Sequence, residues 1–362
     1  MKAFLRNAAV VVAAASTTVA AVSCGAGTGS TSGRGNAPKI GLLLPDATTA
    51  RWETRDRPLL EKRVKELCAD CTIEYANAKN DVATQQEQMD SLITKQVDAI
   101  VLVAVDARAL GATVKKADAA GIPVIAYDRL AEGPISGYVS FDGKEIGRLQ
   151  GRALLTAMGH KAHGGRIVMM NGDPSDPNAV SFKQGALSVL QGEVKIAKSY
   201  DTLQWRSETA NTNMSAAISS LGAGNIDGVY AANDGLAGGS ISALKANKVH
   251  PLPPVTGQDA ELAAVQRIVV GDQYMTVYKP FWPEASAGAA MAVAAARGDS
   301  LGRIATDKVR TRDGTTVPAV MLTPVSVTAS RIKSTLVKDG VYTIQQICTP
   351  QLRAACARAG LT

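Results

Sequence analysis

Residues 99–129 read AIVLVAVDARALGATVKKADAAGIPVIAYDR, and their pattern decides the fold. The stretch opens with an apolar run, 99–104, of strand length and too short for a helix. A polar turn follows. Next comes a segment with helical spacing that stops at Gly121, the residue type that ends helices because it accepts the left-handed conformation. A second apolar run, 122–127, closes the unit on Asp128 and Arg129. Neither apolar run alternates. A strand apolar at every position is covered on both faces, as in a parallel sheet flanked by helices. Strand, helix and strand in this order predict a right-handed parallel crossover.

The theme continues in both directions. Apolar runs at 39–44 (KIGLLL), 72–76 (TIEYA), 165–170 (GRIVMM), 228–232 (GVYAA) and 255–258 (VTGQ) punctuate the chain. Between them lie helical spacings such as Leu60, Val64 and Leu67, or Val82, Met89, Leu92 and Ile93. The expected fold class is α/β, with doubly wound parallel sheets. A chain of 362 residues suits two such domains better than one. The segments SGYVSFDGKE (136–145), MTVYKP (275–280) and VMLTPVSVT (320–328) break the alternation. Read as crossings between domains, they make each domain discontinuous and form a three-strand hinge. The expected lobes are 39–141 with 280–321, and 142–279 with 322–347. Residues 348–362 are left as a C-terminal tail.

Hydrophobic residues make up 46% of the chain and charged residues 20%, an ordinary globular balance. The net charge of +7 is scattered, without basic runs interleaved with aromatics, so the charge points to a solvated surface and not to nucleic acid. Lys2 and Arg6 precede NAAVVVAAASTTVAAVSCG (7–25), a basic start followed by a short apolar stretch and small residues. Residues 1–23 therefore read as a secretory signal, too short and Ala-rich for a membrane span. AVSC (21–24) resembles the lipobox of bacterial lipoproteins, which implies acylation of Cys24 and anchoring at the outer face of the cell membrane. Residues 24–38, rich in Gly, Ser and Thr, read as a flexible tether. In an exported chain, Cys68 with Cys71 and Cys348 with Cys356 suggest two local disulfides. A zinc site of all four cysteines and a CxxC redox pair compete with that reading.

The chemistry gathers after the apolar runs. Asp46, Arg51 and Trp52 follow the first; Asp128 and Arg129 follow 122–127; Asn171, Asp173, Asp176 and Asn178 follow 165–170. Asn233 and Asp234 follow 228–232, Asp259 follows 255–258, and Lys279 follows MTVY. Ligands of parallel α/β sheets bind outside the carboxyl ends of the strands, so two facing sheets would direct these groups into one cleft. Asp accepts, Arg and Lys donate, and Asn does both; planar groups of this kind grip adjacent hydroxyls. Trp52 and Trp205 could cover the C–H face of a sugar ring. Each residue alone has a blander role, since Asp and Asn after a strand often cap the next helix. Recurrence at the same topological place is what carries weight.

From about residue 38 to 345 the sequence resembles the D-xylose-binding branch of the periplasmic sugar-binding proteins of bacterial ABC transporters. The resemblance rests on RW, AYDR, SFD, AND followed by AGG, GQDAEL and MTVYKP, in order and at similar spacing. It implies two α/β lobes joined by a three-strand hinge, with a sugar held between them. The implied ligand set is Arg51, Trp52, Asp128, Arg129, Asp176, Asn178, Trp205, Asn233, Asp259 and Lys279. The implied partners are a D-xylose-like pyranose and a membrane ABC-transporter permease, with a monomeric chain and no cofactor. His160, His163 and His250 lie away from the strand ends, so no metal site or catalytic triad is expected. The alternatives are another aldose (glucose, galactose or arabinose), a sensor input to a membrane receptor, or an extracellular glycosidase.

Overall fold

The computed structural model describes residues 37–362. The signal segment, Cys24 and most of the tether lie outside the described residues. Along the chain the elements are β1 (Lys39–Leu44), α1 (Arg57–Leu67), β2 (Thr72–Asn77), α2 (Val82–Thr94), β3 (Ala99–Leu102), α3 (Gly111–Ala119), β4 (Val124–Tyr127) and β5 (Gly137–Phe141). The chain continues with α4 (Gly143–Met158), β6 (Arg166–Asn171), α5 (Pro177–Leu190), β7 (Lys195–Asp201), α6 (Ser207–Leu221), β8 (Gly228–Ala231), α7 (Asp234–Ala246), α8 (Leu262–Val270) and β9 (Met275–Tyr278). It ends with α9 (Phe281–Ala296), β10 (Asp307–Arg310), β11 (Thr316–Leu322), β12 (Val325–Thr328), α10 (Ile344–Ile347) and α11 (Arg353–Arg358).

Two sheets organise these elements. The first has the order β10-β11-β5-β4-β3-β1-β2, parallel throughout except for β10 at one edge. Its central strands β3 and β4 are buried at every residue, as their unbroken apolar runs require. The second joins β7-β6-β8 in parallel, and β9 pairs antiparallel with β12. The expected strand at 255–258 forms bridges only: Val255 to Val229 and Gln258 to Val277, which ties β8 to β9. Strands β7 and β10 carry no apolar run, because each lies at a sheet edge and half its side chains meet water.

The chain leaves the first sheet after Phe141, returns to it through Lys279 and Pro280, and leaves again between Leu322 and Val325. Helix α9, formed after the return, packs on α1 and on β1, β3, β4, β5 and β11. The two faces of the first sheet have separate cores. Leu42, Leu60, Val101 and Ala289 lie in one, Met89, Ile100, Leu110 and Val114 in the other. Ile167, Met169, Phe182, Met214 and Leu244 belong to the core of the second lobe. Cys68 and Cys71 are disulfide-bonded between α1 and β2. Cys348 and Cys356 are disulfide-bonded in the tail, where Ile347, Cys356 and Leu361 share a core with Val265 and Ile268 of α8.

Candidate functional site

The carboxyl ends of strands from both sheets converge on one cavity. The first lobe supplies Thr49 and Trp52 after β1, and Asp128 and Arg129 after β4. The second supplies Asp176, Asn178 and Phe182 around the start of α5, Trp205 after β7, Asn233 after β8, and Gln258 with Asp259 at the end of the 255–258 segment and just past it. Lys279 enters from β9, at a crossing between the sheets. Several of these residues also shape backbone. Asp176 caps α5 by accepting from the Asn178 N–H, and Asn233 caps α7 by accepting from the Leu236 N–H. The capping reading and the cavity position thus hold together for the same side chains.

Asp128 is the electrostatic centre. Its Oδ2 accepts from Lys279 Nζ at 2.8 Å and from Arg51 Nη1 at 3.1 Å, and its Oδ1 accepts from Asn178 Nδ2 at 2.8 Å. Burial opposes its ionisation, but Lys279 and Arg51 outweigh burial and hold the carboxyl down to about 2. Asp128 has φ 59°, Trp205 φ 55° and Asp259 φ 94°, a region costly for non-glycine residues. Strained backbone of this kind persists where neighbours over-determine it. The Asp128 carbonyl accepts from Ser140 Oγ, Tyr138 Oη and Asn178 Nδ2 at 2.7, 3.1 and 3.1 Å.

Arg129 Nε lies 2.8 Å from Asp176 Oδ2, an ion pair that crosses from one lobe to the other. Burial pushes the Asp176 carboxyl up to about 6 against the pull of Arg129. Lys279 lies 3.4 Å from Asp259 Oδ1 as well as binding Asp128. The arrangement interleaves three carboxylates with two cations on the cavity wall. Two indoles add apolar faces. Trp52 opens a π-helical turn, Trp52–Asp56, with the Arg51 and Arg129 guanidiniums 4.6 and 5.6 Å from its ring centre. Trp205 packs edge-on to Phe182 at 6.4 Å and lies so close to Gly172 that a Cβ there would come within 2.0 Å of the ring. The Trp205 Nε1 and Gln258 Oε1 atoms are buried without a hydrogen-bond partner among the described residues. Buried polar atoms are nearly always paired, so these two are ready partners for a hydroxylated ligand.

Of the ten residues marked from the sequence, Trp52, Asp128, Arg129, Asp176, Asn178, Trp205, Asn233, Asp259 and Lys279 line the cavity. Arg51 does not. Its guanidinium is buried one layer behind, held by Asp56 at 2.6 and 2.7 Å, Glu284 at 2.5 Å and Asp128 at 3.1 Å. Arg51 therefore fixes Asp128 from behind. Burial pushes the Glu284 carboxyl up to about 8 despite Arg51. The wall residues Thr49, Phe182 and Gln258 escaped sequence reasoning. Phe182 carries a weak signal, lying one helical turn beyond Asn178 on α5.

The lobes also meet outside the cavity. The Ala107 N–H donates to the Ser175 carbonyl at 3.5 Å, and Asn80 and Gln204 exchange hydrogen bonds between the β2–α2 and β7–α6 loops.

The periplasmic binding protein domain matches residues 40–300. The D-xylose-binding periplasmic protein of Escherichia coli is 34% identical over 310 residues, covering 84% of this chain and 91% of that one. The multiple sugar-binding periplasmic protein SbpA of Azospirillum brasilense is 34% identical over 332 residues, covering 85% and 91%. The crystal structure of an ABC transporter solute-binding protein from Clostridium phytofermentans, with bound β-D-glucose, superposes with a TM-score of 0.79 at 30% identity, covering 85% of this chain and 99% of that one.

Proposed function

The chain belongs to the periplasmic binding protein family, and from that premise we propose that it captures a neutral monosaccharide between its lobes and presents it to an ABC-transporter permease. One observation carries the reading. A cavity between two sheets is walled by alternating carboxylates, cations and amides and has two indole faces. Hydroxyl groups need donors and acceptors side by side, and the C–H face of a pyranose needs an apolar cover. Asp128, Asp176 and Asp259 outnumber Arg129 and Lys279 on the wall, which disfavours a ligand that brings its own carboxylate.

D-xylose is the first candidate, supported by the sequence resemblance and by the xylose-binding relatives. Glucose is the second, supported by the glucose-bound structural neighbour. In this reading Trp52 and Trp205 cover the ring. Asp128, Arg129, Asp176, Asn178, Asn233, Asp259 and Lys279 hold its hydroxyls. The lobes 39–141 with 280–321 and 142–279 with 322–347 rotate about their three connections, and contacts from both lobes favour the closed form. The relatives are sugar-binding proteins of transport and not enzymes, and their export agrees with the secretory signal read in residues 1–23. Lipid attachment at Cys24 would keep the protein beside its permease. Calorimetry of the chain without residues 1–23 against pentoses, hexoses and a uronic acid tests the ligand class. Binding of a neutral pyranose but not the uronic acid supports it, and the absence of any monosaccharide binding rejects it.

A further inference from the structure

Asn80 and Gln204 are absent from the cavity wall, yet they join the two lobes directly. Gln204 Nε2 donates to the Asn80 carbonyl at 3.1 Å, and Asn80 Nδ2 donates to the Gln204 carbonyl at 3.4 Å. The pair is reciprocal, each side chain holding the other's backbone. Asn80 Nδ2 also reaches Thr48 Oγ1 at 3.4 Å, on the loop that carries Thr49 and Trp52.

Each loop has its own anchor within its lobe. The Asn80 N–H donates to the Pro45 carbonyl at 2.8 Å, and the Gln204 N–H donates to Asp173 Oδ2 at 2.5 Å. The reciprocal pair is therefore not needed to fold either loop. It exists only where the lobes meet. Gln204 and Trp205 are consecutive non-glycine residues with φ of 56° and 55°, so the backbone direction of Gln204 sets where the indole points. That indole lies against Gly172 and on the cavity wall.

We propose that Asn80 and Gln204 are positioning residues. They form a clasp across the lip of the cleft that seats Trp205 and lengthens the time a sugar stays in the closed form. The inference rests on the sugar-binding reading above. Because neither clasp side chain lines the cavity, neither distinguishes one sugar from another by direct contact. The clasp governs release and leaves ligand ranking unchanged.

Asn80→Gly and Gln204→Gly are the informative variants, since glycine removes each side chain and accepts the positive φ of 64° and 56° without steric strain. Release of a bound sugar is followed by stopped-flow tryptophan fluorescence, with the association rate and the melting temperature of the sugar-free chain measured alongside. Each variant is expected to release sugar about two- to tenfold faster, the range for one lost neutral hydrogen bond. The association rate and the order of affinities across the sugar panel are expected to stay unchanged. A purely structural role would lower the melting temperature without separating the two rates. Unchanged release in both variants, or a reordered sugar panel, overturns the inference while the sugar reading stands. A parent chain that binds no sugar removes both.

Discussion

Trp52 and Asp128 show how single residues here serve packing and recognition together. Trp52 is only 2% exposed and shares the core of the first lobe, yet it also faces the cavity. Trp52→Ala is expected to lower sugar affinity by about tenfold or more, since aromatic stacking is worth on the order of 1 kcal/mol beyond the area buried. The variant is expected still to unfold cooperatively, at a lower midpoint. Unchanged affinity in calorimetry would assign Trp52 to packing alone. Asp128 carries a pH signature. Its folded value, about 2, lies below the usual 3.8, so the ionised carboxylate contributes stability above about pH 4 that is lost as the pH falls towards 2. The contribution is on the order of 2 kcal/mol. Asp128→Asn is expected to flatten that acid limb in urea titrations run between pH 2 and 5. It is also expected to cost stability at pH 7, because Lys279 keeps only its longer contact with Asp259. An acid limb identical to that of the parent would contradict this assignment.

The elements succeed or fail by how closely they approach one another. Helices α4 and α5 pack through Gly147 and Gly185: a Cβ at the first would lie 2.0 Å from the Phe182 carbonyl, and at the second 2.0 Å from the Lys144 carbonyl. The Phe182 carbonyl cannot retreat without moving α5, which carries Asn178 and Phe182 to the cavity. Gly147→Ala is expected to destabilise the chain by about 1–3 kcal/mol despite alanine's better helix propensity, and to weaken sugar binding as well. A urea midpoint equal to the parent's would show that the helices can move apart freely. The tail disulfide Cys348–Cys356 closes a short loop packed on α8, away from the cavity. Replacing both cysteines with alanine is expected to cost about 2–3 kcal/mol with sugar affinity unchanged. A changed affinity would mean that the tail reaches the site.

At the scale of the whole molecule, the sheets were readable because their central strands are apolar at every position. Two edge strands were not: β7 and β10 are largely solvated and carry no apolar run, whereas the edge strand β2 was read at 72–76. The same contrast governs the cavity. Charged and amide residues directly after strands stand out in a sequence, which is why most of the wall was legible. Thr49 and Phe182 are residue types common in any turn or core, and nothing local distinguishes them. Arg51 shows the opposite failure, because sequence gives adjacency to Trp52 but not depth. Two neighbours on one turn were assigned one layer, whereas Asp56 and Glu284 hold Arg51 behind the wall.

The central claim is that the convergent wall between the lobes holds a neutral monosaccharide. Isothermal titration calorimetry of the chain without residues 1–23 against D-xylose, D-glucose, D-galactose, L-arabinose and D-glucuronic acid tests it most directly. The account predicts saturable one-to-one binding of at least one neutral sugar, with D-xylose first, and no binding of glucuronic acid. Heat of dilution alone for every neutral sugar, or preferential binding of the uronic acid, would contradict it.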